Sequence, residues 1–213
     1  MKNVVIIGGK DIGIAVVSVI DDCRNAGQKI QCVGFLNDYE KEICGYKVIG
    51  AIKNNDWEKL PEDYLFITAF SNLKYAYEKH ELIKKLRIPA SRYVNIIHPS
   101  AVISSGTKLG YGLAVLPFAF VGPNSELGNF TSIRAHGCVS HDCVLGESTF
   151  ISNNATVNGS VKVGNGVHIG ANASIMEELH IGNYSLIGMG AAVIRDVPDF
   201  AKVVGNPARI INN

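Results

Sequence analysis

Every sixth residue from Ile97 to Val193 is Val, Ile or Leu, seventeen times running and without one slip of phase. These three types make up 58 of the 213 residues, so a chance run of this length is on the order of one in a billion, and a fixed period is the mark of a repeat architecture. Gly follows the aliphatic residue in eight of the hexads, and the fourth residue after it is mostly small or aliphatic. A period of six fits neither a helix nor a long strand. It fits a coil of three short strands, each aiming its aliphatic residue inward, with a turn after each strand where Gly relieves the backbone. Eighteen residues make one triangular coil, so side chains eighteen apart stack on one another. All seventeen aliphatic residues are expected to face the core.

The first 95 residues have a different texture. Residues 3–7 read as a buried strand, and Gly8-Gly9-Lys10-Asp11-Ile12-Gly13 turns the chain into a helix with Ile12, Ala15, Val16, Val19 and Ile20 on one stripe. Residues 31–36 and 63–69 read as further strands, and 72–86 as a second helix. Strand, Gly turn, helix and strand in this order imply a small parallel α/β sheet. Ligands of open α/β sheets sit at the carboxyl ends of the strands, where the Gly turn and Asn37-Asp38 fall. The turn is neither GxGxxG nor a P-loop. It is either a tight strand-to-helix connection or a phosphate site formed by backbone N–H groups with the Lys10 ammonium. Two domains are expected, residues 1–95 and 96–213.

The formal charge is +1 and no Lys/Arg run occurs, which argues against nucleic acid or an anionic membrane as partner. No long apolar stretch suggests membrane insertion, and the opening residues read as a strand rather than a signal peptide. Five cysteines without CxxC spacing point to a reducing cytoplasm, with neither a disulfide framework nor a zinc site.

Within the repeat, His141 is the third residue of its hexad, on an outer turn, with Asp142 beside it. One coil away stands Gly159, expected to leave one side of the imidazole unobstructed. A carboxylate beside an exposed His can hold one tautomer and raise its basicity, as a general base near neutral pH requires; a surface His without a role is the alternative. His136, His168 and His180 have no spacing that compels a metal site, so no metal is expected. Cys143 points inward and reads as a core residue rather than a nucleophile.

With these residues in place, the chain resembles the bacterial nucleotide-sugar N-acetyltransferases of the left-handed β-helix superfamily. The group includes bacillosamine-pathway, perosamine and sialic acid acetyltransferases. The resemblance rests on the N-terminal βαβ region with its Gly turn, Phe35-Leu36-Asn37-Asp38, and Ile97-His98-Pro99-Ser100-Ala101. Val139-Ser140-His141-Asp142-Cys143 and Val204-Gly205-Asn206-Pro207-Ala208-Arg209 complete it. It implies a Rossmann-like α/β domain, then a left-handed parallel β-helix, although general crossover rules favour the right hand. It further implies a homotrimer with active sites between subunits. His141 would be the general base and Asp142 its orienting partner. The substrate, a nucleotide-linked amino sugar, would meet Gly9, Lys10, Asp11, Ile12, Asn37, Asp38 and Phe70. Acetyl-CoA would lie along Phe150, Gly159, Ala171, Gly188 and Met189, with Ala171 and Met189 stacked on one face.

Three positions depart from the family pattern. The turn reads Gly8-Gly9-Lys10-Asp11-Ile12-Gly13 where relatives often have Gly-Ala-Ser-Gly-His-Gly. Phe150 stands where a second His often contacts the coenzyme. Thr68-Ala69-Phe70-Ser71-Asn72 replaces an Ile-Gly-Asn turn. The expected activity is acetyl transfer from acetyl-CoA to a sugar amine in surface glycan synthesis. Transfer to a sugar or sialic acid hydroxyl is the alternative, and a non-catalytic assembly module a further one.

Overall fold

The computed structural model describes residues 1–70 and 76–211, and the chain divides into two compact units, Met1–Pro99 and Ser100–Asn213. In the first unit, β1 (Lys2–Gly8) leads through Gly9 into α1 (Lys10–Asn25), followed by β2 (Ile30–Leu36), β3 (Glu42–Ile43), β4 (Tyr46–Gly50), β5 (Tyr64–Ala69) and α2 (Ala76–Leu86). The sheet order is β3-β4-β2-β1-β5. β1 is its centre, parallel to both β2 and β5, and Val4 to Ile7 are fully buried, which explains a strand that reads as one continuous apolar run. The expected small parallel sheet is present, and β3 and β4 add an antiparallel hairpin at one edge. Only two residues, Cys44 and Gly45, both with positive φ, connect them; β3 and β4 are too short and too exposed to show a period.

The stripe on α1 is rotated from the expected one. Gly13, Val16, Val17, Val19, Ile20 and Cys23 are buried, while Ile12 and Ala15 are half-buried. Gly13 is what lets the helix approach, since a Cβ there would lie 2.7 Å from the Phe35 ring. Of the second expected helix, residues 76–86 are helical; residues 72–75, with Ser71 and Asn72 of the third strand end, lie outside the described residues.

The second unit is a three-faced coil of sixteen two-residue strands from Val102–Ile103 to Ala192–Val193. Every described strand pair within it is in register at a spacing of eighteen residues, as in Cys138↔Thr156, Val144↔Lys162 and Phe150↔His168. The first face runs from Val102–Ile103 to Ala192–Val193, through Cys138–Val139 and Thr156–Val157; the second from Lys108–Leu109 to His180–Ile181; the third from Ala114–Val115 to Leu186–Ile187. From Val115 to Val193 every hexad aliphatic is buried. The first three are not. Ile97 and Ile103 are half-buried and Leu109 is 37% exposed. Ile103 and Leu109 lie on terminal strands of their faces, with a neighbouring coil on one side only. At the other end, Lys202–Val204 pairs with Leu186–Ile187 and turns back on Arg209–Ile211, burying Val203.

Candidate active site

The three corners of the coil differ in chemistry. The corner joining the second and third faces is a ladder of carboxamides. Asn129 accepts from Tyr111 N (3.1 Å) and donates to Glu147; Asn165 Oδ1 accepts from Glu147 N (2.8 Å); Asn183 Oδ1 accepts from Asn165 N (2.9 Å); and Asp199 receives Asn183 N (2.7 Å). Each rung uses its side chain to hold the next coil, so this corner is structural.

The corner joining the first and second faces carries His141. The Cys138–Val139 strand ends, His141 turns outward with its side chain 58% exposed, and Asp142 takes a left-handed φ of 57° that swings its carboxylate back toward the ring. His141 Nδ1 lies 2.7 Å from Asp142 Oδ2, and Asn124 Nδ2, one coil below, lies 3.3 Å from Asp142 Oδ1. The hydrogen bond from His141, with a smaller share from Asn124, holds the Asp142 carboxyl below the usual carboxylate range. An ionised Asp142 takes the Nδ1 proton as a hydrogen bond, which leaves Nε2 with its lone pair turned away from the carboxylate.

Gly159 has a different part from the expected one. A Cβ at Gly159 would fall 2.7 Å from both His141 Cε1 and Nε2. The imidazole is seated on Gly159, so the glycine makes room for the ring instead of leaving that side free. Cys143 is buried, its Sγ 3.0 Å from Asn158 O, and burial raises its thiol; this inward thiol is part of the core, not a nucleophile.

The corner joining the third and first faces holds Ala171, Gly188 and Met189. Ala171 and Met189 stack as expected: Gly190 N donates to Ala171 O (2.9 Å), Ala171 is half-buried, and Met189 projects with 80% exposure. Gly188 is required for packing, since a Cβ there would lie 2.7 Å from Val204 Cγ1. Phe150 lies on the outer side of the third face, stacked on His168 at 4.8 Å and 12°. The expected coenzyme set is therefore divided. Gly159 shares a corner with His141, whereas Ala171, Gly188 and Met189 lie at the other edge of the first face.

In the first unit, Gly9 is the N-cap of α1 with no side-chain cap, and Lys10 and Asp11 are exposed in the first turn, with Ile12 half-buried. Backbone N–H groups thus face out beside β1, whose last residue Gly8 pairs with Ala69 of β5; Phe70 follows directly and is half-buried. Gly8 has a φ of 143°, and a Cβ would meet Ala69 O at 2.3 Å. Asn37 differs from expectation. Its Nδ2 donates to Gly8 O (2.9 Å) and its Oδ1 accepts from Tyr39 N and Glu40 N, so the carboxamide fastens the loop after β2 to the end of β1. Asp38 uses Oδ1 to cap Lys53 N at 3.0 Å. Among the described residues, no three His, Cys, Asp or Glu side chains gather as a metal site.

Comparison with known proteins agrees with this layout. Residues 142–177 match the bacterial transferase hexapeptide (six repeats) model. A variant of GDP-perosamine N-acetyltransferase from Caulobacter crescentus with a histidine replaced by alanine, solved with CoA and GDP-perosamine, superposes with a TM-score of 0.87 at 26% identity, over 100% of this chain and 98% of that one. The perosamine enzyme with the same ligands at 1.0 Å resolution matches at 27% identity and TM-score 0.84, with the same coverage. The acetyltransferase domain of PglB from Neisseria gonorrhoeae, solved with acetyl coenzyme A, matches at 26% and 0.84 over 99% of both chains. No curated protein matches by sequence. Fold and site together define a hexapeptide-repeat acyltransferase with a left-handed β-helix. Within that class, the chain is similar over its whole length, at 26–27% identity, to sugar N-acetyltransferases of known structure.

Proposed function

We propose that this enzyme transfers the acetyl group of acetyl-CoA to the amine of a nucleotide-linked amino sugar for glycan biosynthesis. The carrying observation is the 2.7 Å His141–Asp142 pair on an outer corner of the coil, with the imidazole seated on Gly159. Asp142 fixes the Nδ1–H tautomer and steadies the imidazolium that forms. Nε2 takes a proton from the sugar nitrogen as that nitrogen bonds to the thioester carbonyl carbon. The C–S bond then breaks, and His141 returns the proton to the departing thiolate, so no acyl-enzyme is needed. A wall N–H is suited to receive the tetrahedral oxyanion. The amine as acceptor is supported by the Caulobacter and Neisseria neighbours, whose ligands are GDP-perosamine with CoA and acetyl coenzyme A.

The sugar nucleotide is assigned to the end of β1, with its phosphates at the α1 start formed by Gly9, Lys10, Asp11 and Ile12. Asp38 and Phe70 would flank it. Asn37 would act by shaping the loop, since its side chain is already engaged. The coenzyme is assigned to the Ala171–Gly188–Met189 corner, with Gly159 and Phe150 toward the thioester. His141 and Met189 stand at opposite edges of one face, so a groove lined by both is completed by a second copy. That supports a homotrimer with shared sites, which sedimentation would read as three times the chain mass. Among the described residues no helix is long and apolar enough to cross a membrane, and five free thiols suit a cytoplasmic enzyme.

The test is release of free CoA with UDP-, GDP- and TDP-linked amino sugars. One of these should turn over, and His141→Ala should lower its kcat by about 10²-fold or more. Near-normal turnover in that variant would refute the assignment of the base.

A further inference from the structure

Charge is spread unevenly over the three faces of the coil. On the first face, no residue flanking a hexad aliphatic is charged. On the second, Lys108 is paired with Glu126 of the next coil. The residues flanking the aliphatics of the third face and its terminal hairpin include Arg134, Lys202 and Arg209 and no Asp or Glu. A surface with cations and no carboxylates carries a positive potential that draws an anion toward it.

Two of these cations stand together at the end of the face. Lys202 and Val204 flank the buried Val203 and are exposed. Arg209, also exposed, lies opposite Val204 across the antiparallel pair, so Lys202 and Arg209 share the outer side. Among the described residues neither forms an ion pair, and the hydrogen bond of the Arg209 guanidinium runs from Nη1 to Ala208 O (2.9 Å). Both cations are open to solvent within one chain.

Position selects the anion. Phe150, His168, Leu186 and Lys202 follow one another in register on successive strands, so Lys202 stands three strand spacings, about 14 Å, above Phe150. The thioester end of the coenzyme is assigned beside Phe150 and its body beside Gly188 and Met189, which lie between those heights. Gly188 itself sits under Val204, where a Cβ would come within 2.7 Å of Cγ1. Between sulfur and diphosphate the pantetheine arm is a chain of about a dozen bonds near 1.5 Å, and at about 1.2 Å of advance per bond it spans about 15 Å when extended. An arm that starts at Phe150 and climbs past Gly188 therefore delivers its diphosphate at the height of Lys202, with Arg209 on the next strand.

We infer that Lys202 and Arg209 clamp the diphosphate of acetyl-CoA, so that the terminal hairpin takes part in donor recognition besides covering Val203. The assignment rests on the acetyl-CoA reading above. The ammonium supplies a point charge, and the guanidinium a fork of N–H groups that matches two phosphate oxygens.

The experiment measures CoA binding to the full-length protein by calorimetry, without acceptor, in Lys202→Met, Arg209→Met and the double variant. Lys108→Met, which removes the same charge from the second face, is the control. Each single change should raise the Kd for CoA by about three- to tenfold, between the worth of an exposed ion pair and that of a charged hydrogen bond, and Lys108→Met should leave it unchanged. Added salt should weaken CoA binding to the wild type more than to the double variant. Acetyl-dephospho-CoA, which keeps the diphosphate, should show the same loss; acetylpantetheine, which lacks it, should bind wild type and double variant equally. In turnover the loss should appear in the KM for acetyl-CoA, with the acceptor KM unmoved. An unchanged Kd, an equal rise in Lys108→Met, a loss that persists with acetylpantetheine, or one that vanishes with acetyl-dephospho-CoA (a 3′-phosphate contact) would each overturn the proposal. If the wild type binds no CoA, the acetyl-CoA reading fails and the clamp with it. If it binds CoA yet acetylates no sugar nucleotide, the acceptor assignment fails alone, and the Kd comparison still decides the clamp.

Discussion

Gly159→Ala isolates the placement of the base from everything else in the enzyme. The added methyl would stand 2.7 Å from His141 Cε1 and Nε2 and 3.3 Å from Nδ1. Carbon atoms in good contact sit about 3.5–4.0 Å apart, so the ring must retreat by about 0.8 Å. It cannot do so freely, because the 2.7 Å bond to Asp142 tethers Nδ1; tilting about that tether turns Nε2 off its line to the substrate. Misplacement near 1 Å costs on the order of 10²-fold in rate, so kcat should fall by roughly 10- to 100-fold. The backbone should accept the change. Gly159 is not among the residues with positive φ, and its carbonyl keeps the 3.0 Å bond from Glu178 N, so Tm should hold or rise slightly. Steady-state kinetics and thermal melts read both. A double-mutant cycle is decisive, because Gly159→Ala should cost nothing further in a His141→Ala background. A kcat within twofold of wild type, or a loss that persists when His141 is absent, would refute the reasoning.

Asp142→Asn should lower kcat by about tenfold or more, within the range for general-base support, and raising the pH should not restore it. The folded Asp142 pKa is depressed, so the support from its ionised form is complete above the ordinary carboxylate value and is lost as pH falls through the depressed one; in Asp142→Asn the melting temperature should lose that acid-side dependence. Asn165→Ala removes the acceptor of the part-buried Glu147 N–H and should cost about 1 kcal/mol, the net worth of one hydrogen bond. Urea denaturation would measure it, with kcat of the folded enzyme unchanged, since that corner carries no assigned chemistry. A melting curve identical to wild type would show that the ladder is ornamental.

What could be read from the sequence depended on how many neighbours each residue answers to. The hexad run was legible because each inward aliphatic meets the same environment eighteen residues on, and seventeen repetitions average out local accident. It misjudged only residues such as Ile103 and Leu109, where that environment stops at a terminal strand. The same phase placed His141 and Asp142 together, since turn geometry is repeated as faithfully as the core. It could not say that the His141 ring bends onto Gly159, because χ angles are not periodic. The first unit offered no such averaging. Asn37 stands at a strand end and was read as a ligand contact, yet its carboxamide serves the loop through three hydrogen bonds. Asn in a turn fills both roles with the same atoms, and only coordinates separate them.

The division of labour among the corners follows from the coil itself. Inward residues are fixed by packing, and a change there is felt through every coil above it. Outward residues on a turn touch only the coils eighteen residues away, so each corner varies almost independently. Carboxamide rungs could therefore accumulate at one corner for stability, a His–Asp pair could stand at the second, and small residues with one projecting methionine could line the third. Such an arrangement separates the His141 corner from the Ala171–Met189 corner within one chain, and close packing inside the coil prevents their approach. Under the proposed homotrimer, a neighbouring copy would be the economical remedy. By that reasoning, the proposed homotrimer would follow from placing chemistry on the edges of a triangle.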